Sequence, residues 1–274
     1  MALPVTYLFV PGNRPDRFDK ALATAADAVI LDLEDAVDPA GKQAAREAVR
    51  AWCATGCDAT RVLVRINDIQ TAWFAEDIEA LRGAGPVGIM LPKAESPDDV
   101  NRVVAALGPD VPIIPLIETA IGLRAVDAIA AAKGVQRLAF GTIDFAVDLG
   151  LSGDERGFAG ASMTIALASR CAGIAPPVAG VTPAIDDLAA LEADIAFARA
   201  FGFAAKLCIH PKQVTAVRAA FAPTKAELDW ARRVLAAAAS SVGAVQVDGR
   251  MVDRPILRKA QSLLDLAPPA QSPS

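Results

Sequence analysis

Histidine is nearly absent from this chain: of 274 residues, only His210 carries an imidazole. A Ser-His-Asp triad would have to be built around that one side chain, and a zinc site needing two histidines from one chain is excluded. Any metal must then be held by oxygen ligands, which favours a hard cation such as Mg²⁺, with Mn²⁺ as the alternative. Cysteine is sparse as well. Cys53, Cys57, Cys171 and Cys208 include one C-x-x-x-C but no second pair to complete a metal site, so they read as reduced structural thiols. Basic charge is in deficit, with 27 Lys plus Arg against 32 Asp plus Glu, and a net charge of −5 argues against nucleic acid or an anionic membrane as partner. An anionic ligand would need a local basic cluster. No basic leader precedes an apolar stretch at the start, and no run reaches the length of a membrane span, so the expected location is the cytoplasm.

What the chain does contain is core material: 53% apolar residues, a mean hydropathy of +0.35 and 22% charged residues describe a folded globular protein. Eight short apolar runs recur at nearly even spacing: Val5–Val10, Ala28–Leu33, Arg61–Ile66, Gly88–Leu91, Ile113–Ile117, Arg137–Phe140, Pro177–Val181 and Ala204–Ile209. Helical stretches are expected to begin at Pro15, Pro39, Ala72, Ser96, Ala120, Gly157, Ile185 and Pro211, several with Pro, Ser or Asp at the N-terminal place. Runs such as AVILDL and GIMLP are apolar throughout, as strands of a parallel sheet buried on both faces are. Eight βα units close into a (β/α)₈ TIM barrel over residues 1–222, with a C-terminal helical extension over 223–274. A doubly wound open sheet is the alternative, but no G-x-G-x-x-G follows the first strand.

Catalytic residues of such a barrel sit at the C-terminal ends of its strands. There the sequence places Arg14, Glu34-Asp35, Arg65, Lys93, Glu118, Thr142, Asp144, Thr182 and His210. Glu118 and Asp144 come from neighbouring strands, and two converging carboxylates suit a cation between them; the competing reading makes each a helix cap. Arg65 ends a hydrophobic strand and needs an anion, either Glu34 or Asp35 or a substrate carboxylate or enolate. Lys93 is a candidate Schiff-base lysine, which would make a metal-free aldolase. Arg14, Arg17 and Lys20 are either a solvated face or a seat for a phosphate-rich ligand, since cations near a helix N-terminus oppose its dipole.

Together these residues resemble the citrate lyase β-subunit-like branch of the HpcH/HpaI aldolase and citrate lyase family. LFVPGNRPDRFDKAL, AVILDLEDAV, VRIN, MLPKAE, IPLIETAIGL, FGTIDFAVDLG, KLCIHPKQV and GRMVDRP look like that family's segments, in its order, from Tyr7 to about Leu266. The resemblance implies Mg²⁺ on Glu118 and Asp144, a catalytic role for Arg65, and cleavage or formation of malyl-, citramalyl- or citryl-type thioesters. For CoA it implies contacts from Arg14, Arg17, Lys20, Ile209 and His210, and it implies homotrimers or hexamers. Asp253 is implied as the catalytic acid or base, contributed across a subunit interface; its plainer reading is a cap on the helix starting near Pro255. Phe9 stands where some relatives have Tyr. GVTPAIDD departs from the pattern of the subunit that works within a citrate lyase complex, which favours a stand-alone acyl-CoA lyase over a carrier-dependent subunit. A class II aldolase acting on small 2-keto acids would use the same metal logic.

Overall fold

The computed structural model describes residues 3–55, 58–83, 88–239 and 245–266, so Cys57 and the polar tail after Leu266 lie outside the described residues. Two compact units divide between Arg218 and Ala219.

In the first unit, eight parallel strands close in sequence order: β1 (Thr6–Pro11), β2 (Ala28–Asp32), β3 (Val62–Arg65), β4 (Gly88–Leu91), β5 (Ile113–Ile117), β6 (Arg137–Phe140), β7 (Ala175–Ala179) and β8 (Ala205–Cys208). Closure is made by β1 against β8, with Tyr7 beside Leu207. The intervening helices are α1 (Phe18–Leu22), α2 (Lys42–Cys53), α3 (Trp73–Leu81), α4 (Pro97–Leu107), α5 (Ala120–Arg124), α6 (Val126–Ala130), α7 (Thr142–Leu149), α8 (Ala159–Ala172), α9 (Leu188–Ala200) and α10 (Pro211–Phe221). Alternation along each strand sends Ala28 and Ile30, Ile114 and Leu116, and Ala205 and Leu207 into the barrel centre, while Val29 and Leu31 are buried on the other side. Each fully buried Ile or Leu contributes roughly 1.5–3 kcal/mol, so the barrel centre is a packed core and not a pore.

The strand-start end is closed by Arg137. Its guanidinium donates to the carbonyls of Pro176 (2.5 and 2.9 Å) and Pro4 (2.8 Å) and to the Tyr7 hydroxyl (3.2 Å). This stitches β6, β7 and the approach to β1.

Three expectations need correction here. Strand seven runs over Ala175–Ala179 and not Pro177–Val181: prolines cannot donate to a ladder, but a register shift between Arg137 and Ala139 accommodates the extra residue, so Pro176 and Pro177 are tolerated. The first helix after β6 is α7 and not a segment starting at Gly157, so Thr142 and Asp144 lie on a helix's first turn rather than at a strand end. Gly150, at φ 65°, ends α7 in the left-handed conformation a C-terminal cap favours. Likewise α9 starts at Leu188, capped by the Asp187 side chain, three residues past the expected Ile185.

The second unit holds α11 (Lys225–Ala239), the antiparallel hairpin β9 (Val245–Val247) and β10 (Arg250–Val252), and α12 (Arg254–Asp265). Ala231, Val234 and Ala260 form its small core, with Trp230, Ile256 and Leu257 packed around them. Among the described residues no helix is long and apolar enough to cross a membrane. Cys171 and Cys208 are free thiols, and burial pushes the Cys208 thiol up to about 12, so it stays protonated and inert.

Candidate active site

Arg65, the last residue of β3, lies in register with Asp32, the last of β2. Both ends of its fork meet that carboxylate, Nε to Oδ1 at 2.7 Å and Nη2 to Oδ2 at 2.6 Å. Asp32, which the sequence reasoning passed over, is thus its main partner, alongside the expected Glu34 and Asp35. Its Nη1 also lies 3.0 Å from Glu34 Oε2 and 3.4 Å from Asp35 Oδ2. The Glu34 contact is out of line for a hydrogen bond, and Oε2 is a buried oxygen with no hydrogen-bond partner among the described residues. Phe9 covers the guanidinium, 4.8 Å from ring centroid to Cζ. Burial opposes the charge on Arg65, but the Asp32 hydrogen bonds and the surrounding carboxylates more than offset it and hold the group above its ordinary range.

Glu34 connects this arginine to the next strand. Its Oε1 accepts from Lys93 Nζ at 2.9 Å, and burial raises its carboxyl above the usual range against the pull of Arg65 and Lys93. For Lys93 burial acts downward, yet the bond to Glu34 wins and the ammonium is held above its ordinary range. A Schiff-base lysine would need that proton removed. The loop bearing Glu34 is fixed from behind: buried Lys42 donates to Leu33 O (2.8 Å), Glu34 O (2.8 Å) and Asn67 Oδ1 (2.7 Å), and Asp77 accepts both the amide and side-chain N–H of Asn67. No periodicity in the sequence pointed to this network.

Glu118 follows β5, and Asp144 sits on the first turn of α7. Neither carboxylate caps a helix: Thr119 caps α5 through Gly122 N–H, and α7 has no side-chain cap. Glu118 instead accepts the Lys93 backbone N–H at 2.8 Å through Oε1. It packs on Gly141 so closely that any Cβ there would collide with its side chain. The Glu118 carboxyl is pushed up to about 8, chiefly by burial, with the charges of Glu34 and Asp144 adding to the rise and the Lys93 N–H and Arg65 opposing it. Arg65, Glu34, Lys93, Glu118 and Asp144 therefore form one electrostatic cluster at the strand ends.

A divalent cation fits this cluster, because it would relieve a buried carboxyl that burial and two acidic neighbours keep from ionising. Among the described residues no set of three or more His, Cys, Asp and Glu groups is placed to hold a metal. A two-carboxylate site leaves positions for water and substrate oxygens, which is how Mg²⁺ is usually bound.

The remaining expected residues are more scattered. Arg14 chelates Asp16 through Nε and Nη2, both at 2.9 Å, which offsets its charge. Arg17 and Lys20 are exposed and form no ion pair among the described residues. They lie on a single 3₁₀ turn, Pro15–Arg17, and the five-residue α1, so the helix-dipole argument made for them does not hold. After β8, the Ile209 N–H is pinned by Gln213 Oε1 at 2.9 Å, and His210 Nδ1 accepts the Lys212 N–H at 3.2 Å. In the second unit Asp253 caps α12, its Oδ1 accepting the Ile256 N–H at 3.0 Å, while its side chain remains exposed.

Residues 6–211 match the model of the HpcH/HpaI aldolase/citrate lyase family, and residues 169–268 match a model for a C–C bond lyase of the TIM-barrel fold. A citrate lyase subunit beta-like protein of Mycobacterium tuberculosis is 42% identical over 273 residues, covering 97% of this chain and 96% of its own. A (3S)-malyl-CoA thioesterase of Cereibacter sphaeroides is 34% identical, with 93% and 94% covered. Among solved structures, the CitE protein of M. tuberculosis in complex with magnesium, acetoacetate and coenzyme A superposes with a TM-score of 0.87 at 41% identity, covering 97% of this chain and 98% of that one.

Proposed function

The chain belongs to the HpcH/HpaI aldolase/citrate lyase family, and on that premise we propose that it is a Mg²⁺-dependent carbon–carbon lyase that cleaves or forms 3-hydroxyacyl-CoA thioesters of the malyl, citramalyl or citryl type. The observation that carries this reading is the joining of Arg65 to Glu118 and Asp144 in one charge cluster at the strand ends. It is supported by the Mg²⁺, acetoacetate and coenzyme A held by the similar CitE protein.

In this reading Glu118 and Asp144 would hold Mg²⁺, which would supply Lewis-acid polarisation of the substrate's oxygens. Arg65, kept rigid by Asp32 and Phe9, stabilises the negative charge that develops as the carbon–carbon bond opens toward a keto acid and a thioester enolate. Asp253, from a neighbouring copy in a homotrimer or hexamer, takes up the proton lost from the substrate hydroxyl and returns it to the enolate carbon. Its exposed cap position in the second unit leaves one carboxylate oxygen free of the Ile256 N–H. Arg17 and Lys20, with Arg14, Ile209 and His210, contact the CoA, and the proposed setting is the cytoplasm.

The name of the Cereibacter relative favours a second outcome, hydrolysis of the thioester. Purified chain alone with malyl-CoA and Mg²⁺ separates them: glyoxylate with acetyl-CoA marks cleavage, malate with free CoA marks hydrolysis. Turnover that needs an added acyl-carrier partner would instead mark a complex subunit. Asp253→Asn is expected to keep Mg²⁺ binding and lose most turnover, and mixing it with Arg65→Ala should restore part of the activity. If subunits exchange and none returns, the acid is not shared between chains.

A further inference from the structure

Two described residues other than glycine hold a positive φ, Asp248 at 51° and Lys93 at 45°. Asp248 has an ordinary reason: with Gly249 at 76° it makes the Asp-Gly corner of the β9–β10 hairpin, where both positions need that conformation. Lys93 has none of that kind. It follows Pro92 in a turn whose second corner position suits Gly or Asn, and a lysine there presses its Cβ toward the neighbouring carbonyl. Such strain persists only where the surroundings over-determine it.

Here two contacts and one clamp do so. The Lys93 amide donates to Glu118 Oε1 at 2.8 Å while its own Nζ donates to Glu34 Oε1 at 2.9 Å. Directly afterwards Ala94 N–H rejoins β5 through Leu116 O at 3.3 Å, and Gly122 of α5 packs on the Ala94 carbonyl with no room for a Cβ. One residue thus addresses two acids of the cluster by two different groups, and among the described residues nothing donates to Glu118 Oε2.

We propose that Lys93 is a positioning residue with two separable actions: its amide occupies Glu118 Oε1 and turns Oε2 toward the cation, and its ammonium fixes Glu34 beside Arg65. This rests on the reading of Glu118 as a cation ligand. In the left-handed turn the amide meets Glu118 while the ammonium meets Glu34, which accounts for a strained lysine where a glycine would be relaxed.

The test separates backbone from side chain. Lys93→Gly keeps the turn and its N–H but removes the ammonium; Lys93→Val, β-branched, resists the left-handed conformation and displaces the amide; Lys93→Met keeps the strain without the charge. Mn²⁺ affinity of the full chain, read by calorimetry without substrate, should stay within about twofold of wild type in Lys93→Gly and fall about 10–100-fold in Lys93→Val, the range typical for groups that orient metal ligands. Turnover of malyl-CoA should fall by about 10–100-fold in both Lys93→Gly and Lys93→Met. Wild-type turnover in Lys93→Gly, or Mn²⁺ affinity in Lys93→Val equal to that in Lys93→Gly, overturns the proposal. If Lys93→Val does not fold, Mn²⁺ binding tighter in Lys93→Met than in Lys93→Gly overturns it. A wild type that binds Mn²⁺ but turns over no thioester defeats the substrate assignment, and the Mn²⁺ comparison still decides the role of Lys93.

Discussion

Two arginines are buried at opposite ends of the barrel, and their surroundings differ in kind. Arg137, at the strand starts, is satisfied by the carbonyls of Pro4 and Pro176 and by the Tyr7 hydroxyl, and forms no ion pair among the described residues. Arg65, at the strand ends, is held by Asp32 and Glu34 with Asp35 nearby. Neutral backbone dipoles cannot change charge, so the first arrangement is permanent. Carboxylates can take up a proton or a cation, so the second responds to what binds. One end of the fold is built to stay as it is, the other to be altered.

Replacing Arg137 should produce the largest loss of stability. Arg137→Met removes a buried charged donor from the carbonyls of Pro4 and Pro176, each such bond worth about 1.5–3 kcal/mol, so urea unfolding should show a loss of about 3–6 kcal/mol while the kcat of the folded fraction holds. A matching fall in kcat would break the division between the two ends.

Arg65→Lys reverses the pattern. Losing the planar fork should cost about 100-fold or more in turnover, roughly 3 kcal/mol of transition-state stabilisation, in protein that remains folded. Unchanged turnover would reduce Arg65 to a structural partner of Asp32.

The responsive end should also make stability depend on pH. The folded-state Glu118 carboxyl lies near 8, above its ordinary 4.5. As pH rises between those values the unfolded chain ionises while the folded one resists, so metal-free protein should lose stability from about pH 5 to pH 8, on the order of a few kcal/mol. Unfolding in EDTA at pH 5, 6.5 and 8 measures this; Mg²⁺ should reverse the loss, and Glu118→Gln should flatten it. A flat profile in the metal-free wild type would mean that Glu118 is not the buried, cation-seeking group described.

The smallest effect belongs to the exposed cations. Arg17→Ala with Lys20→Ala should raise the KM for CoA thioesters a few-fold, with kcat held, and lower its sensitivity to salt. An unchanged KM would leave them as solvated surface.

Where local pattern decides structure, the sequence was legible. Gly88–Leu91, Ile113–Ile117 and Arg137–Phe140 are strands over the expected residues, because continuous apolar runs between turn signals leave little choice. Where partners come from distant chain segments, it was not. Asp32 could be recognised as the partner of Arg65 only through the pairing of β2 with β3, and the Lys42–Asn67–Asp77 network joins α2, the loop after β3 and α3. The hairpin around Asp248-Gly249 departs from the expected all-helical extension, because its strands are only three residues each, too short to show a period. Asp253 carried both a capping and a catalytic reading, and the cap alone is a local property visible in one chain.

The side-by-side register of Asp32 and Arg65 reaches beyond chemistry. Strand neighbours can in principle pair one residue out of step, and such a slip turns every side chain to the opposite face. A slipped β3 would carry the guanidinium away from its carboxylates into the apolar layer under the helices, stranding a cation on one side and anions on the other. The ion pair therefore acts as a proofreader of assembly, so that a barrel closed in the wrong register is penalised at the very place where the reaction is to occur.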